Sequence, residues 1–107
     1  MTRYIATKRD WKLFRERIAI WQEAYMERLV EEYTQLLTGQ EIASEKFWEL
    51  DKRIRKDRNN PGVIITLNKG HMVYDIAELI QLGVITVDDL YGFSDELRDF
   101  VGFILGR

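Results

Sequence analysis

The chain has 107 residues, of which 46% are hydrophobic and 32% are charged, and its net charge is −2. This length suits one domain with a single core, and this composition excludes an intrinsically disordered chain. The absence of cysteine excludes a disulfide framework and a thiolate metal site.

Charged residues are spread through the N-terminal segment, which excludes the apolar region of a signal peptide. No apolar run reaches the roughly 20 residues that are needed to cross a bilayer. We therefore expect a cytoplasmic protein that is not embedded in a membrane. Residues 1–58 carry thirteen Lys/Arg against eleven Asp/Glu, and the residues from His71 onward carry two against seven. Such surfaces would attract one another within the fold or between copies.

An apolar stripe at helical spacing runs through the first third of the chain. Its members recur every three or four residues and therefore share one helix face. They are Trp11, Phe14, Ile18, Trp21, Tyr25, Leu29, Tyr33 and Leu36. Thr7 and Asp10 have capping-box spacing, so the Thr7 hydroxyl should accept the Asp10 N–H and the carboxylate should return to the Thr7 N–H. Gly39 is predicted to end this helix in the left-handed conformation.

The length of this first helix leaves two alternatives open. A continuous helix from Thr7 to Thr38 would be about 45 Å long, which exceeds what a compact domain of this size contains. The helix therefore either bends near residues 17–20 or projects from the domain and pairs with a second copy. The bend is the favoured alternative.

A second helix is predicted to begin at Ser44 as N-cap and to turn Phe47, Leu50 and Ile54 inward. The sequence Asn-Asn-Pro-Gly at residues 59–62 then breaks the helix. Residues 63–67 are rich in β-branched side chains and could pair with residues 4–6 as a two-stranded ribbon. An extended connector is the favoured interpretation of this segment.

Three more helices are predicted after the break. Asn68 caps the third, which Gly83 ends; Thr86 starts a short fourth, and Ser94 starts a fifth. Ile85 and Leu90 have the spacing of a hydrophobic staple. The side chains expected to face inward from the third and fifth helices are Met72, Val73, Ile76, Leu79, Ile80, Leu97, Phe100, Val101 and Ile104. The expected fold class is all-α, a helical bundle of about five helices in a single domain spanning residues 1–107, with the two-stranded β element as an open alternative.

Several stretches of the sequence match those of a known group of proteins. They are DWKLFR (10–15), WQEAYM (21–26), SEKFWELDKRI (44–54), NPG (60–62), GVIT (83–86) and FSDEL (93–97). Together they resemble a group of short uncharacterised bacterial proteins, some of which carry the label "multidrug transporter". The resemblance covers most of the chain and implies no catalytic residue, cofactor or ligand. The label conflicts with the absence of an apolar segment long enough to span a membrane.

The residues offer little for catalysis. His71 is the only histidine, which excludes a zinc site built on a pair of histidines from one copy. Asp75, four residues on, could form a pH-sensitive pair with it, although a surface or capping role is favoured. No glycine-rich phosphate loop, Walker lysine or Gly-x-Ser-x-Gly elbow is present. We therefore expect no enzymatic activity, no metal and no cofactor.

An acidic ridge lies opposite the apolar stripe of the first helix, formed by Glu16, Glu23, Glu27 and Glu31. Like charges four residues apart repel slightly, so this ridge could bind a cation or a basic partner. The favoured interpretation is a solvated face that Lys52, Arg53, Arg55 and Lys56 partly neutralise.

Nucleic-acid binding is the alternative function. The turn around Gly83 between two helices is typical of a helix-turn-helix, but the helix that would read bases carries Asp88 and Asp89 and no Lys or Arg. Phosphate would repel it. Non-specific phosphate contacts through the basic residues 52–58 remain as the less favoured alternative.

Trp48 is the most informative single residue. It lies about 100° round the second helix from the predicted inward stripe, beside Lys52 and Arg55. A tryptophan next to an arginine is typical of interface hot spots. The competing interpretation is that the C-terminal helix, with Phe93 and Phe103, covers it. We expect a helical protein–protein interaction module of regulatory type, which binds another protein or itself as a homodimer, with Trp48, Lys52 and Arg55 as candidate interaction residues.

Overall fold

The computed structural model describes residues 4–106. This part of the chain contains four α-helices, which are α1 (Lys8–Leu37), α2 (Ala43–Asp57), α3 (Met72–Gln81) and α4 (Asp95–Ile104). Short 3-10 helices occur at Lys69–His71 and Val87–Leu90. The prediction of an all-α fold is confirmed.

The prediction of about five helices is wrong, and the open β alternative for residues 63–67 is not observed. The expected short fourth helix is only the 3-10 turn Val87–Leu90, in which Thr86 and Asp89 form a reciprocal capping box. No strand occurs among residues 4–106, and residues 64–68 have no regular secondary structure. This segment is therefore an extended connector, with Ile65 packed against the core and Ile64 exposed.

Helix α1 is one unbroken element of 30 residues, so the predicted bend near residues 17–20 is wrong. At 1.5 Å per residue it is about 45 Å long. The molecule measures 55 × 26 × 21 Å, so the helix fits only along the longest axis. The radius of gyration of 16.8 Å exceeds the roughly 13 Å expected of a compact domain of this length. The helix therefore projects from the domain instead of bending.

The first part of α1 forms the head of the molecule together with α3, α4 and the segments that follow α2; we define the head as residues 4–25 and 61–106. Its fully or nearly buried core side chains are Phe14, Ile18, Trp21, Met72, Val73, Ile76, Ala77, Leu79, Val84, Ile85, Leu90, Phe93, Leu97 and Val101. Trp21 joins α1 to the segment that precedes α4, since its ring centroid lies 6.3 Å from that of Phe93 and 6.2 Å from that of Phe14 on its own helix. The first part of the predicted apolar stripe is therefore confirmed as core.

At Arg28 the helix α1 still contacts the head, since the guanidinium donates to the carbonyls of Gly83 at 2.8 Å and Val84 at 3.2 Å. Beyond this contact α1 leaves the head and pairs with α2 in an antiparallel hairpin; we call residues 26–60 the arm. Arg53 forms an ion pair with Glu32 at 2.9 Å, and the Tyr33 hydroxyl donates to Asp57 Oδ2 at 2.6 Å. These two contacts set the register of the hairpin.

The base of the arm is fastened to the head by polar contacts around the Asn-Asn-Pro-Gly break. Asn60 Nδ2 donates to the Tyr25 hydroxyl at 3.1 Å, and Gln22 Nε2 donates to the carbonyl of Pro61 at 3.0 Å. Gly62 is buried so closely that a Cβ at this position would lie 2.6 Å from Tyr25 Cδ2. The predicted break is therefore a tight, well-anchored turn.

The helix ends differ from the predictions in two places. Gly39 does not take the left-handed conformation. Helix α1 ends at Leu37, and the cap residue is Thr38, whose N–H and hydroxyl both donate to the carbonyl of Thr34. Ser44 is not an N-cap, since α2 begins at Ala43 with Ile42 as the cap residue and no side-chain capping bond. The Ser44 hydroxyl is left exposed in the first turn.

The predicted capping box at the start of α1 forms only in part. Thr7 Oγ1 accepts the Asp10 N–H at 3.1 Å, as expected. The Asp10 carboxylate does not return to Thr7 because it is fully buried and accepts hydrogen bonds from Tyr4 and Ser94. Burial and this bond to Asp10 raise the pKa of the Tyr4 hydroxyl, which therefore stays a hydrogen-bond donor.

Candidate surface on the arm

The arm exposes several large apolar side chains. No side chain of α2 is buried. Phe47 is 63% exposed and Ile54 is 42% exposed, so the prediction that they face the core is wrong. Leu50 alone of the predicted stripe is half-buried. The remaining half-buried residues along the α1-facing side of α2 are polar and include Arg53 and Asp57.

Trp48 is 64% exposed, and its ring packs edge-on against Phe47 with 4.9 Å between centroids. The interpretation that the C-terminal helix covers it is wrong. Phe93 is in the head core at 3% exposure, and Phe103 is 62% exposed on α4. The reason is the projection of the arm, which separates α2 from the rest of the bundle. Exposure of Trp48 is the property that an interface residue requires.

The structure places Lys52 and Arg55 on the exposed side of α2, near Trp48. Arg55 pairs with Asp51 one turn earlier on the same helix. Neither basic side chain pairs with the acidic ridge of α1 among the described residues, so the predicted neutralisation of that ridge is not observed. Arg53 pairs instead with Glu32, which lies outside that ridge.

Helix α1 contributes two exposed apolar residues to the arm, Val30 at 59% and Leu37 at 45%. With about 100° of rotation per residue, they lie about 60° and 40° round the helix from Tyr33, which faces α2. They thus share one flank of α1. Sequence reasoning missed them because they lie outside the main stripe, and their only signal is a spacing of seven residues.

Phe47 and Ile54 occupy the corresponding flank of α2. They lie about 60° and 40° round that helix from Leu50, which faces α1. The rotation from the facing residue has the same sense on both helices. Because the helices are antiparallel, the two flanks then lie on the same side of the hairpin. We call Val30, Leu37, Phe47 and Ile54 the apolar arm face.

The opposite side of the hairpin is polar. The ion pair between Arg53 and Glu32 lies there, and Arg53 also stacks at 5.7 Å from the ring centroid of Tyr33. Burial, and then the bond to Asp57, raise the pKa of Tyr33 to about 12. Tyr33 is therefore a stable donor at neutral pH. These polar contacts join the two helices of the arm, alongside the buried Leu29 and the half-buried Leu36 and Leu50.

The predicted pair of His71 and Asp75 lies at the start of α3, away from the arm. His71 is exposed, and the partly buried Asp75 carboxylate four residues on has one oxygen, Oδ2, without a hydrogen-bond partner. Burial raises the pKa of Asp75, and the nearby His71 opposes that rise. Across residues 4–106, no three His, Cys, Asp or Glu side chains meet in a way that could hold a metal ion.

No helix within the described part of the chain combines the length and the apolar character of a membrane span. Comparison of the chain with protein-family models, with curated proteins and with solved structures finds no match. The contacts and exposures of the residues themselves therefore carry the functional inference.

Proposed function

We propose that this chain is a helical protein–protein interaction module and that the arm is its binding element. The observation that carries the proposal is the state of α2, a helix of 15 residues without one buried side chain although it contains Phe47, Trp48 and Ile54. Contiguous exposed apolar side chains rimmed by charge are typical of protein-binding surfaces. Covering them gains about 25 cal/mol per Å² of apolar area.

Trp48, Lys52 and Arg55 are the proposed recognition residues beside the apolar arm face. The Trp48 ring offers a large apolar area with its Phe47 contact already formed, so little side-chain freedom is lost on binding. Lys52 and Arg55 provide donors for carboxylates of a partner. A partner with an apolar helix flanked by acidic residues would fit this surface.

The function is tested by separating stability from binding. Replacing Trp48 with Ala should change the free energy of unfolding by no more than about 0.5 kcal/mol, as is usual for a surface residue. Phe14→Ala is the matched core control, since Phe14 is 0% exposed, and it should cost about 3 to 5 kcal/mol. Chemical denaturation of both variants measures these values.

Binding is then compared between the wild type and Trp48→Ala. Association with a captured protein, or with itself, should weaken by about 2 kcal/mol or more if Trp48 is a hot spot. Unchanged association of every kind, in a variant that remains folded, would contradict the proposal.

The alternative function is a nucleic-acid-associated regulator that contacts phosphates through residues 52–58. The observation in its favour is the exposure of Lys52, Lys56 and Arg58 at one end of α2. Arg53 already pairs with Glu32, which reduces the positive charge available to phosphates. Duplex DNA binding that falls steeply with salt and survives Trp48→Ala would support this alternative.

A further inference from the structure

We infer that the occupant of the apolar arm face is a second copy of this chain, related by a two-fold axis that runs parallel to the arm. The inference rests on the proposed function, because it names the protein that the arm binds. In this arrangement α2 of one copy lies over α1 of the other, and the four helices form a bundle with both heads at the same end.

The apolar residues of the arm face are turned to one side of the hairpin. In an isolated two-helix hairpin, the apolar residues of each helix would centre on the line joining the two helices. Here Phe47 and Ile54 are turned away from that line, and Val30 and Leu37 are turned to the same side. In a four-helix bundle, each pair of helices has its apolar residues on the side that faces the other pair. The arm has this arrangement.

The head of the molecule leaves the apolar arm face open to a second copy. The core residues of α1, such as Phe14, Ile18 and Trp21, lie about 120° or more round the helix from Val30. The head therefore sits on the far side of α1 from the apolar arm face. A second copy can reach this face along the whole arm without meeting the head.

The outer edges of α1 and α2 carry opposite charges. Glu27 and Glu31 are exposed along the outer edge of α1, and Arg55 and Arg58 are exposed along the outer edge of α2. Because Arg53 lies opposite Glu32 within the hairpin, Arg55 is at the level of residue 30, one residue from Glu31. The two-fold axis brings Arg55 of each copy beside Glu31 of the other, twice per dimer.

Charge also selects this axis over the other two-fold arrangement of the same face. A two-fold axis perpendicular to the arm would place α1 against α1, with Glu27 and Glu31 of one copy near the same residues of the other. Like charges across an interface disfavour that pairing. The charges of two copies are thus complementary only when the two-fold axis runs parallel to the arm.

The first experiment is sedimentation velocity on the full chain between about 1 and 100 μM, the range in which specific dimers of this size are expected to associate. The wild type should be a dimer. Ile54→Glu should weaken association by about 100-fold or more, because it puts a charge into the centre of the bundle from both copies. Ile64→Glu is the matched control: Ile64 is 68% exposed on the connector in the head, and its replacement should leave the dimer intact.

A second experiment tests the arrangement itself. Glu31→Lys and Arg55→Glu should each weaken the homodimer by about tenfold, since each reverses two rim pairs. An equimolar mixture of the two variants should recover tight association, because the introduced lysine of one copy then faces the introduced glutamate of the other and the remaining native pair is kept. A mixture no tighter than either variant alone would overturn the proposed axis.

The two proposals fail separately. A wild type that is monomeric at about 100 μM, the top of that range, or an Ile54→Glu variant that dimerises as the wild type does, overturns the second copy as occupant. The interaction function would fail only if Trp48→Ala also left the binding of every captured protein unchanged.

Discussion

The carboxylate of Asp10 accepts two hydrogen bonds from Ser94, one from its N–H at 3.0 Å and one from its hydroxyl at 2.6 Å, across 84 residues of sequence. Ser94 Oγ in turn accepts the N–H of Leu97 and so caps α4. The negative charge of Asp10 lies at the positive N-terminal end of that helix. One side chain thus ties the start of α1 to the start of α4.

Asp10→Asn should lower the free energy of unfolding by about 2 to 3 kcal/mol, as a hydrogen bond to a charged acceptor contributes about 1.5 to 3 kcal/mol. The amide has only one acceptor oxygen, so it cannot satisfy Tyr4 and both donors of Ser94. Urea denaturation measures the loss. Asp88→Asn, at an exposed position in the turn after Thr86, is the control and should stay within about 0.5 kcal/mol. Equal effects of the two changes would show that the buried bonds do not stabilise the head.

Two glycines should respond in opposite directions to a methyl group. In Gly62→Ala the new Cβ would lie 2.6 Å from Tyr25 Cδ2 and 2.8 Å from Val84 Cγ2, which is overpacking and should cost about 1 to 3 kcal/mol. In Gly102→Ala, within α4, the Cβ meets no atom within 4 Å, so helix propensity should stabilise the protein by about 0.8 kcal/mol. Thermal unfolding midpoints that moved together would contradict this assignment.

Asp75→Asn should raise the thermal midpoint at pH 7, and the gain should shrink as the pH falls. The folded-state pKa of Asp75 is raised from 3.8 because burial disfavours its charged form. The stability of the wild type therefore benefits from protonation of this group below the unfolded value and loses that benefit as the pH rises through the folded value. Asn removes the charge at every pH. A gain that was constant from pH 7 to pH 3 would refute desolvation as the cause.

Local patterns predicted the head well. The helical spacing of Phe14, Ile18 and Trp21 identified core residues, and Ser94 was identified as the N-cap of the last helix. Gly83, with φ of 75°, ends α3 as expected. These features depend on residues within one or two turns of each other, where periodicity and capping determine the structure.

The arm was mispredicted because periodicity shows that residues share a helix face and not whether anything covers that face. Phe47 and Ile54 have core spacing, yet the unbroken α1 carries α2 away from the remaining helices. The candidate surface was therefore only partly predictable, through Trp48. The role of Asp10 could not be predicted from the sequence for a related reason. Its partner Ser94 is brought near only by the tertiary fold.

The anchored turn at the base of the arm also has a consequence for chain entropy. To place α3 on α1 in an open chain, a loop of about 50 residues between Trp21 and Met72 must close. Once the hairpin forms and seats Gly62 against Tyr25, only about 10 residues remain to be closed. The entropic cost of that closure grows with the logarithm of loop length, so the hairpin lowers it by about 1.4 kcal/mol. The arm, which contributes little to the core, thus shortens the effective sequence distance between the two halves of the head.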